Sequence, residues 1–394
     1  MKKRAWFLFF LLLSGMLCAI PGCGMADDAS AARLICLNIG KADCMLLLYD
    51  DQAYLIDTGY EQTYPALEAM LRQYGVDHLN GVFLTHCHED HKGGLALLAQ
   101  SGLRIDAWYA PRIYFDVDTA QHPAESAAKL RNQQVSWLNA GDVIPAGKDG
   151  SFTVLGPLSV NTENENNNSL VMRFSSPAGS ILFTGDMKTE EEAELLSANA
   201  FAPCDVLKAG HHGDNNATGK ELLRIVQPKA AVIFTSTREE PDTPAPSALK
   251  RLNNMGCAVY VTQDFHDALM LTLKNGGEIE AEDISWDMAP KRAENIALSI
   301  DVSQDTLTIF NQGADALDLN GYSVYSTKGN ELLNLKNARL GAGEQLVIGS
   351  QSTDVHADIV FSLKRIWKKN KLDMAILYDA WGRPVACTDN GLGE

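Results

Sequence analysis

From Leu34 to about Glu282, short apolar runs alternate with stretches of helical spacing. Leu34–Ile39, Met45–Tyr49 and Tyr54–Ile56 read as strands, with Gly40-Lys41-Ala42-Asp43 turning between the first two. Over Tyr64–Tyr74, Leu67, Met70 and Leu71 share one face, which predicts a helix that Gly75 ends. Gly81–Leu84 reads as a buried strand running straight into a polar cluster. Ile181–Phe183, Val206–Lys208, Ala231–Thr235 and Ala258–Val261 repeat that pattern, while Glu190–Ala198 and Ser247–Asn254 read as helices. The Asn-rich stretch Asn161–Asn168 reads as a loop. Strands alternating with helices predict a layered α/β fold. Past Ser285–Glu294 the pattern becomes all-β. Thr306–Phe310, Ser323–Tyr325, Gln345–Ile348, Ile359–Phe361 and Met374–Tyr378 are short strands, punctuated by Gly, Asn and Asp at intervals that suit a small sandwich. No internal repeat stands out.

The first residues read as an address. Lys2, Lys3 and Arg4 precede an apolar run, Trp6 to Leu13, too short and broken for a membrane span and suited to an export signal. The run closes on Ile20-Pro21-Gly22-Cys23, which resembles a bacterial lipobox with Cys23 as the lipidated residue. The expectation is a signal peptide over 1–22, a tether over 23–32 and a protein lipid-anchored outside the bacterial cell membrane. Ordinary cleavage near Ala26, giving a secreted protein, is the alternative.

Composition narrows the function. Hydrophobic residues make up 46% of the 394, enough for real cores. Lys+Arg number 33 against 50 Asp+Glu, a formal charge of -17, which argues against holding nucleic acid by bulk charge. Chemistry on a phosphodiester in a local metal site stays open. Eight cysteines over this length are too sparse for a disulfide scaffold. Cys36, Cys44, Cys204 and Cys257 read as small buried hydrophobes, and Cys87 as packing.

Candidate chemistry gathers after a few strands. Thr85-His86-Cys87-His88-Glu89-Asp90-His91 follows the strand Gly81–Leu84. A turn there can aim His86 and His88 at one ion and Asp90 and His91 at a second, and imidazole with carboxylate suits zinc, manganese or iron. Thr184-Gly185-Asp186 follows another strand, and Asp186 has two oxygens with which to bridge two ions. Lys208-Ala209-Gly210-His211-His212-Gly213 follows a third. Five of the nine histidines fall in these motifs. Asp57 reads as an organiser of the metal loop through hydrogen bonds, and His212 as an orienter or a substrate contact.

Asp57 in Leu55-Ile56-Asp57-Thr58-Gly59, the His86–His91 motif, Gly185-Asp186 and His211 together resemble the ordered motifs of the metallo-β-lactamase superfamily, over roughly residues 33–275. The resemblance implies an αββα sandwich with a dinuclear metal site at its edge. Leu37-Asn38-Ile39-Gly40-Lys41-Ala42-Asp43, Asn168-Ser169-Leu170-Val171 and Leu207–Gly213 are similar, more narrowly, to the extracytoplasmic hydrolase domain of ComEC-type competence proteins. The implied activity is hydrolysis of phosphodiesters, nuclease action included, by a metal-activated water. The implied ligands are His86, His88, Asp90, His91, Asp186 and His211, with Asp90 and Asp186 also catalytic. Asp43, Asp57, Asn168 and His212 would stand behind them or against the substrate. Two divalent ions are implied, zinc first, manganese or iron as alternatives. Many members have a further histidine before the Gly-Asp; no His lies between His122 and His211, and Asn168 stands near that place. Asp214, Thr243-Pro244 and His266 also depart from the narrower group's pattern.

The C-terminal stretch resembles a lamin-tail domain. Leu307-Thr308-Ile309-Phe310-Asn311-Gln312-Gly313, Leu317–Tyr322, Leu340–Glu344 and Ile376–Gly382 carry the likeness. It implies an immunoglobulin-like sandwich used for interaction with an envelope polymer, nucleic acid or protein. Arg365, Lys368, Lys369 and Lys371 with Trp367 form a local basic patch, read first as a solvated loop with one packing Trp. The expected layout is therefore hydrolase domain 33–284, linker 285–295 and sandwich 296–394. DNA is one expected phosphodiester substrate. A hydrolase of another ester or amide bond and a noncatalytic envelope-binding lipoprotein are the alternatives.

Overall fold

Period-two alternation along each strand divides the apolar residues between two faces, and the layers follow from that division. The computed structural model describes residues 31–115, 121–286, 295–329 and 331–391. The signal peptide, Cys23 and most of the expected linker lie outside the described residues.

One sheet has eight strands, in the order Glu278–Ile284, Ala268–Lys274, Ala32–Leu37, Met45–Tyr49, Gln52–Ile56, Gly81–Phe83, Trp108–Pro111 and Val135–Leu138. Its first five strands pair antiparallel and its last three are added parallel. A second sheet of seven runs Ala258–Val261, Ala230–Ile233, Val206–Lys208, Gly179–Phe183, Val171–Ser176, Gly150–Gly156 and Val143–Ala146. Met45, Leu47, Ile56 and Phe83 face Phe152, Phe174, Phe183 and Val206 between the sheets. The alternate residues Leu46, Leu55 and Val82 pack outward on Leu67, Met70 and Leu71 of the helix Tyr64–Gln73. Across the molecule, Leu182, Leu207 and Ile233 pack on Leu195, Leu222, Leu223 and Leu252 of three further helices. The result is a helix–sheet–sheet–helix sandwich.

Strand positions follow the apolar pattern to within two residues for the elements read from it. The Asn-rich loop contains a short turn of 3-10 helix, Glu165–Asn168. His122 is buried and caps the helix Pro123–Leu130, its Nδ1 accepting from the Ala124 amide at 3.2 Å.

The C-terminal region is all-β. One sheet is Ile296–Asp301, Thr306–Asn311, Gln345–Gly349 and Ile359–Val360; the other is Glu331–Asn334, Ser323–Ser326, Met374–Tyr378 and Pro384–Asp389. Leu307, Ile309, Val324, Ile348, Trp367 and Leu377 fill the space between them. Trp367 is wholly buried, and buried Asp305 accepts from the Trp367 amide at 2.9 Å, so the basic loop has no aromatic platform from this residue. Among the described residues no helix is long and apolar enough to cross a membrane.

Candidate metal centre

The loops that leave the carboxyl ends of four strands meet at one edge of the two sheets. Asp57 follows Gln52–Ile56, the histidine motif follows Gly81–Phe83, Asp186 follows Gly179–Phe183, and His211-His212 follow Val206–Lys208. Ligand sites favour such strand ends, where side chains can converge without breaking the sheet.

The loops are tied down before any ion is considered. Asp57 accepts from the Thr85 amide and hydroxyl, each at 2.8 Å, and meets His91 Nδ1 at 2.8 Å. The Thr58 amide and hydroxyl donate to the His91 carbonyl at 2.8 and 3.0 Å. The Asp43 amide donates to the Asp90 carbonyl at 3.0 Å. Gly185 has φ +49°, and a Cβ there would stand 2.9 Å from Ser169 Oγ and 3.1 Å from Thr85 Cβ. Only glycine fits a turn that presses Asp186 so close to both loops.

Two clusters result. Asp90, His91, Asp186 and His212 each offer an atom within 4.8 Å of the others, and Asp43 and Asp57 meet His91 behind them. His212 Nε2 lies 3.0 Å from Asp186 Oδ2 and 3.2 Å from Asp90 Oδ2. His91 Nε2 lies 3.3 Å from Asp186 Oδ2. The other ring nitrogens are engaged, His91 Nδ1 with Asp57 and His212 Nδ1 with the Phe234 carbonyl at 2.9 Å. That turns each Nε2, fully buried, toward the carboxylates of Asp90 and Asp186. His86 and His88 form the neighbouring group. His86 Nε2 is 3.9 Å from Asp186 Oδ2 and 3.1 Å from His88 Nδ1, and His88 is open to solvent. Asp186 thus faces both groups.

Charge points the same way. Burial opposes ionisation of Asp90 and Asp186, but the charges of His91 and His212 hold both carboxyls below the usual range. Burial likewise opposes a charge on His212, yet Asp186 and Asp90 push it up to about 9; Asp186, Asp43 and Asp57 push His91 well above normal. Burial keeps His86 low, hence neutral. The carboxylates of Asp43, Asp57, Asp90 and Asp186 and the imidazoles of His91 and His212 converge there, a donor set that suits a divalent metal.

One expectation differs from what the structure brings together. His211, expected as a ligand, lies outside the group that His212 joins, its Nδ1 meeting Asn216 Oδ1 at 3.0 Å and Asp214 Oδ2 at 3.3 Å. His212 takes the inner place. The reason is local backbone: His211 and His212 both have positive φ, 43° and 52°, which simple alternation along a strand end does not anticipate. Asn168 is buried but spends its side chain on the loop, accepting from the Asn161 amide at 2.7 Å and donating to the Asn161 carbonyl and Glu165 Oε2. Cys87 is buried, and Cys36, Cys44, Cys204 and Cys257 are free and buried.

Lys208 was not anticipated. It is 1% exposed, pairs with Asp43 Oδ2 at 2.6 Å and Asp186 Oδ1 at 3.3 Å, and donates to the Gly185 carbonyl at 2.8 Å. It occupies one oxygen of Asp186 and leaves the other to the cluster. A signal existed: a lysine in register with buried Val206 on an internal strand must have a buried anionic partner.

A family model, the metallo-beta-lactamase superfamily, matches residues 37–237, more than half of the chain. The chain belongs to the metallo-beta-lactamase superfamily. Members are generally metal-dependent hydrolases, and this member carries a candidate dinuclear site. It is similar to ComE operon protein 3 of Bacillus subtilis (strain 168), 27% identical over 265 residues, covering 63% of this chain and 34% of that protein. It is also similar to competence protein ComA of Neisseria gonorrhoeae, 26% identical over 281 residues, 70% of this chain and 36% of that one. The chain spans about a third of the length of these curated relatives. Among solved structures, the diiron β-hydroxylase CmlA from Streptomyces venezuelae aligns at TM-score 0.43 and 13% identity, covering 62% of this chain and 54% of CmlA.

Proposed function

We propose that this superfamily member is a metal-dependent phosphodiesterase or nuclease, working outside the bacterial cell membrane on a lipid tether at Cys23. The observation that carries the metal-dependent reading is the convergence of the buried Nε2 atoms of His91 and His212 with the carboxylates of Asp90 and Asp186, each offering an atom within 4.8 Å of the others. Asp90, His91, Asp186 and His212 would hold one divalent cation; His86, His88 and the shared Asp186 would contribute to a second. Bound there, such cations lower the pKa of water toward ~7 and neutralise charge on phosphoryl oxygens. That supplies an acidic chain with the local positive charge an anionic substrate needs. The chain's own residues orient the site: Asp57 and the Phe234 carbonyl fix the two imidazoles, and Lys208 fixes Asp186. The likeness to competence proteins supports a nucleic-acid substrate, and the sandwich, read as a lamin-tail-like domain, would bind envelope polymer, nucleic acid or protein.

The test uses purified residues 24–394 loaded with zinc, manganese or iron, assayed on bis(p-nitrophenyl) phosphate, single- and double-stranded DNA and a chromogenic cephalosporin, with and without chelator. Chelator-sensitive phosphodiester cleavage is expected. Turnover of the cephalosporin with none of the phosphodiesters would overturn the substrate class, and no metal uptake would overturn the enzyme reading. For the anchor, Cys23→Ala in the full chain is expected to move the protein from the membrane to the soluble fraction.

A further inference from the structure

The second sheet of the C-terminal sandwich is buried on its core face and, around Ile376 and Tyr378, on the opposite face too. Ser323 pairs with Tyr378 and Tyr325 with Ile376, so these four side chains share the face opposite the sandwich core. Ile376 and Tyr378 are nevertheless only 1% exposed. What covers them is the metal-bearing edge of the hydrolase domain. The Tyr378 hydroxyl donates to Glu239, and the Lys41 amide donates to the same carboxylate. Arg238 donates to the Pro384 and Val385 carbonyls at 3.0 and 2.9 Å, and buried Arg383 pairs with Asp267 at 2.7 Å. Gly382, at φ +75°, sits so close that a Cβ would stand 2.5 Å from Thr63 Cα.

The chain of contacts then runs inward. Lys41 belongs to the turn that ends in Asp43, and Asp43 binds Lys208, which also pairs with Asp186. The Lys41 ammonium lies on the lip, held by half-exposed Glu240 at 2.8 Å. The turn reaches the pocket through its backbone as well, the Asp43 amide donating to the Asp90 carbonyl at 3.0 Å.

We propose that the C-terminal sandwich is a wall of the active site: Tyr378 and Glu239 position the Gly40–Asp43 turn, and that turn presents Lys41 to the anionic group of the substrate. The positioning stands on the contacts alone; the role of Lys41 rests on the phosphodiester reading above.

Amide hydrogen exchange over residues 38–44 of the full chain reads the positioning without substrate. Tyr378→Phe and Glu239→Gln are each expected to speed exchange there about tenfold, the worth of one charge-assisted hydrogen bond. Exchange around Leu307 in the sandwich core should stay as in the wild type, which shows that both variants fold. Wild-type exchange over 38–44 in both variants overturns the positioning claim. For Lys41, Lys41→Met is expected to raise KM for bis(p-nitrophenyl) phosphate about tenfold while kcat stays within about twofold, and to weaken calorimetric binding of inorganic phosphate by a similar factor. Unchanged KM and unchanged phosphate binding overturn it. Should the wild type bind phosphate through Lys41 yet cleave no phosphodiester, the phosphodiester reading fails while the wall stands.

Discussion

The two halves of the metal pocket are built on different plans. In one, Asp90, His91, Asp186 and His212 are backed at every step: Asp57 holds His91, the Phe234 carbonyl holds His212, and Lys208 holds Asp186. In the other, His86 meets Thr85 Oγ1 at 3.2 Å, His88 Nδ1 at 3.1 Å and, at 3.9 Å, the outer oxygen of Asp186, and no buried carboxylate or carbonyl fixes the exposed His88 ring. No third ring closes it, because Asn168 is committed to Asn161 and Glu165. The comparison teaches that preorganisation here is unequal. The first half is largely buried and fixes its imidazoles and Asp186, so it should bind a cation tightly; the second should bind more weakly and leave room for substrate or solvent.

Asp186 belongs to both halves, so its loss breaks the comparison outright. Asp186→Ala is expected to remove bound metal from both positions and to lower hydrolysis by ~10³-fold, within the range of losing a key charge-stabilising group. Metal analysis by plasma mass spectrometry with steady-state rates checks this; near-wild-type metal content and turnover would sink the dinuclear reading. Next in size is the contrast between adjacent histidines. His212→Ala should weaken the tighter cation about 100-fold, whereas His211→Ala, at a ring outside that group, should change it less than about threefold. Chelator-competition titration of both variants decides it, and the reverse order would restore His211 to the ligand set.

A smaller effect belongs to the open half. His88 is exposed and lies outside the group of Asp90, His91, Asp186 and His212, so His88→Ala should weaken the second cation about tenfold and leave the first within about twofold. Two-step metal titration separates the two constants. Equal loss from both steps would mean that the halves act as one site.

Much of this was legible in the residues. The strands carrying Asp57, the histidine motif, Asp186 and His211-His212 show themselves as apolar runs that end in polar residues, because burial between two layers demands such runs. The motif His86–His91 announces metal chemistry by density alone. The choice between His211 and His212 was not legible, because it depends on two consecutive left-handed residues that no local pattern encodes. Lys208 was legible in principle but looks like an ordinary strand end. The docking of the sandwich is a matter of tertiary contact: Tyr378, Glu239 and Lys41 lie far apart in the chain and meet only once both domains are folded.

Asn168 sharpens the comparison most finely, since the two readings of it differ in kind. As a stand-in for a missing histidine, its amide would serve the second cation. In the structure its oxygen accepts from the Asn161 amide and its nitrogen donates to the Asn161 carbonyl at 2.8 Å and to Glu165 at 2.9 Å, so a ligand role would break a closed loop. Asn168→Ala strips those bonds from a buried position. The expected cost is ~1–3 kcal/mol of stability, the price of leaving buried loop groups unsatisfied, with both metal affinities within about twofold of wild type. Chemical denaturation paired with the same metal titration reads the two terms separately. A selective loss of the second cation at unchanged stability would instead make Asn168 the absent third ligand, and the open half would then be a closed one seen with its amide turned aside.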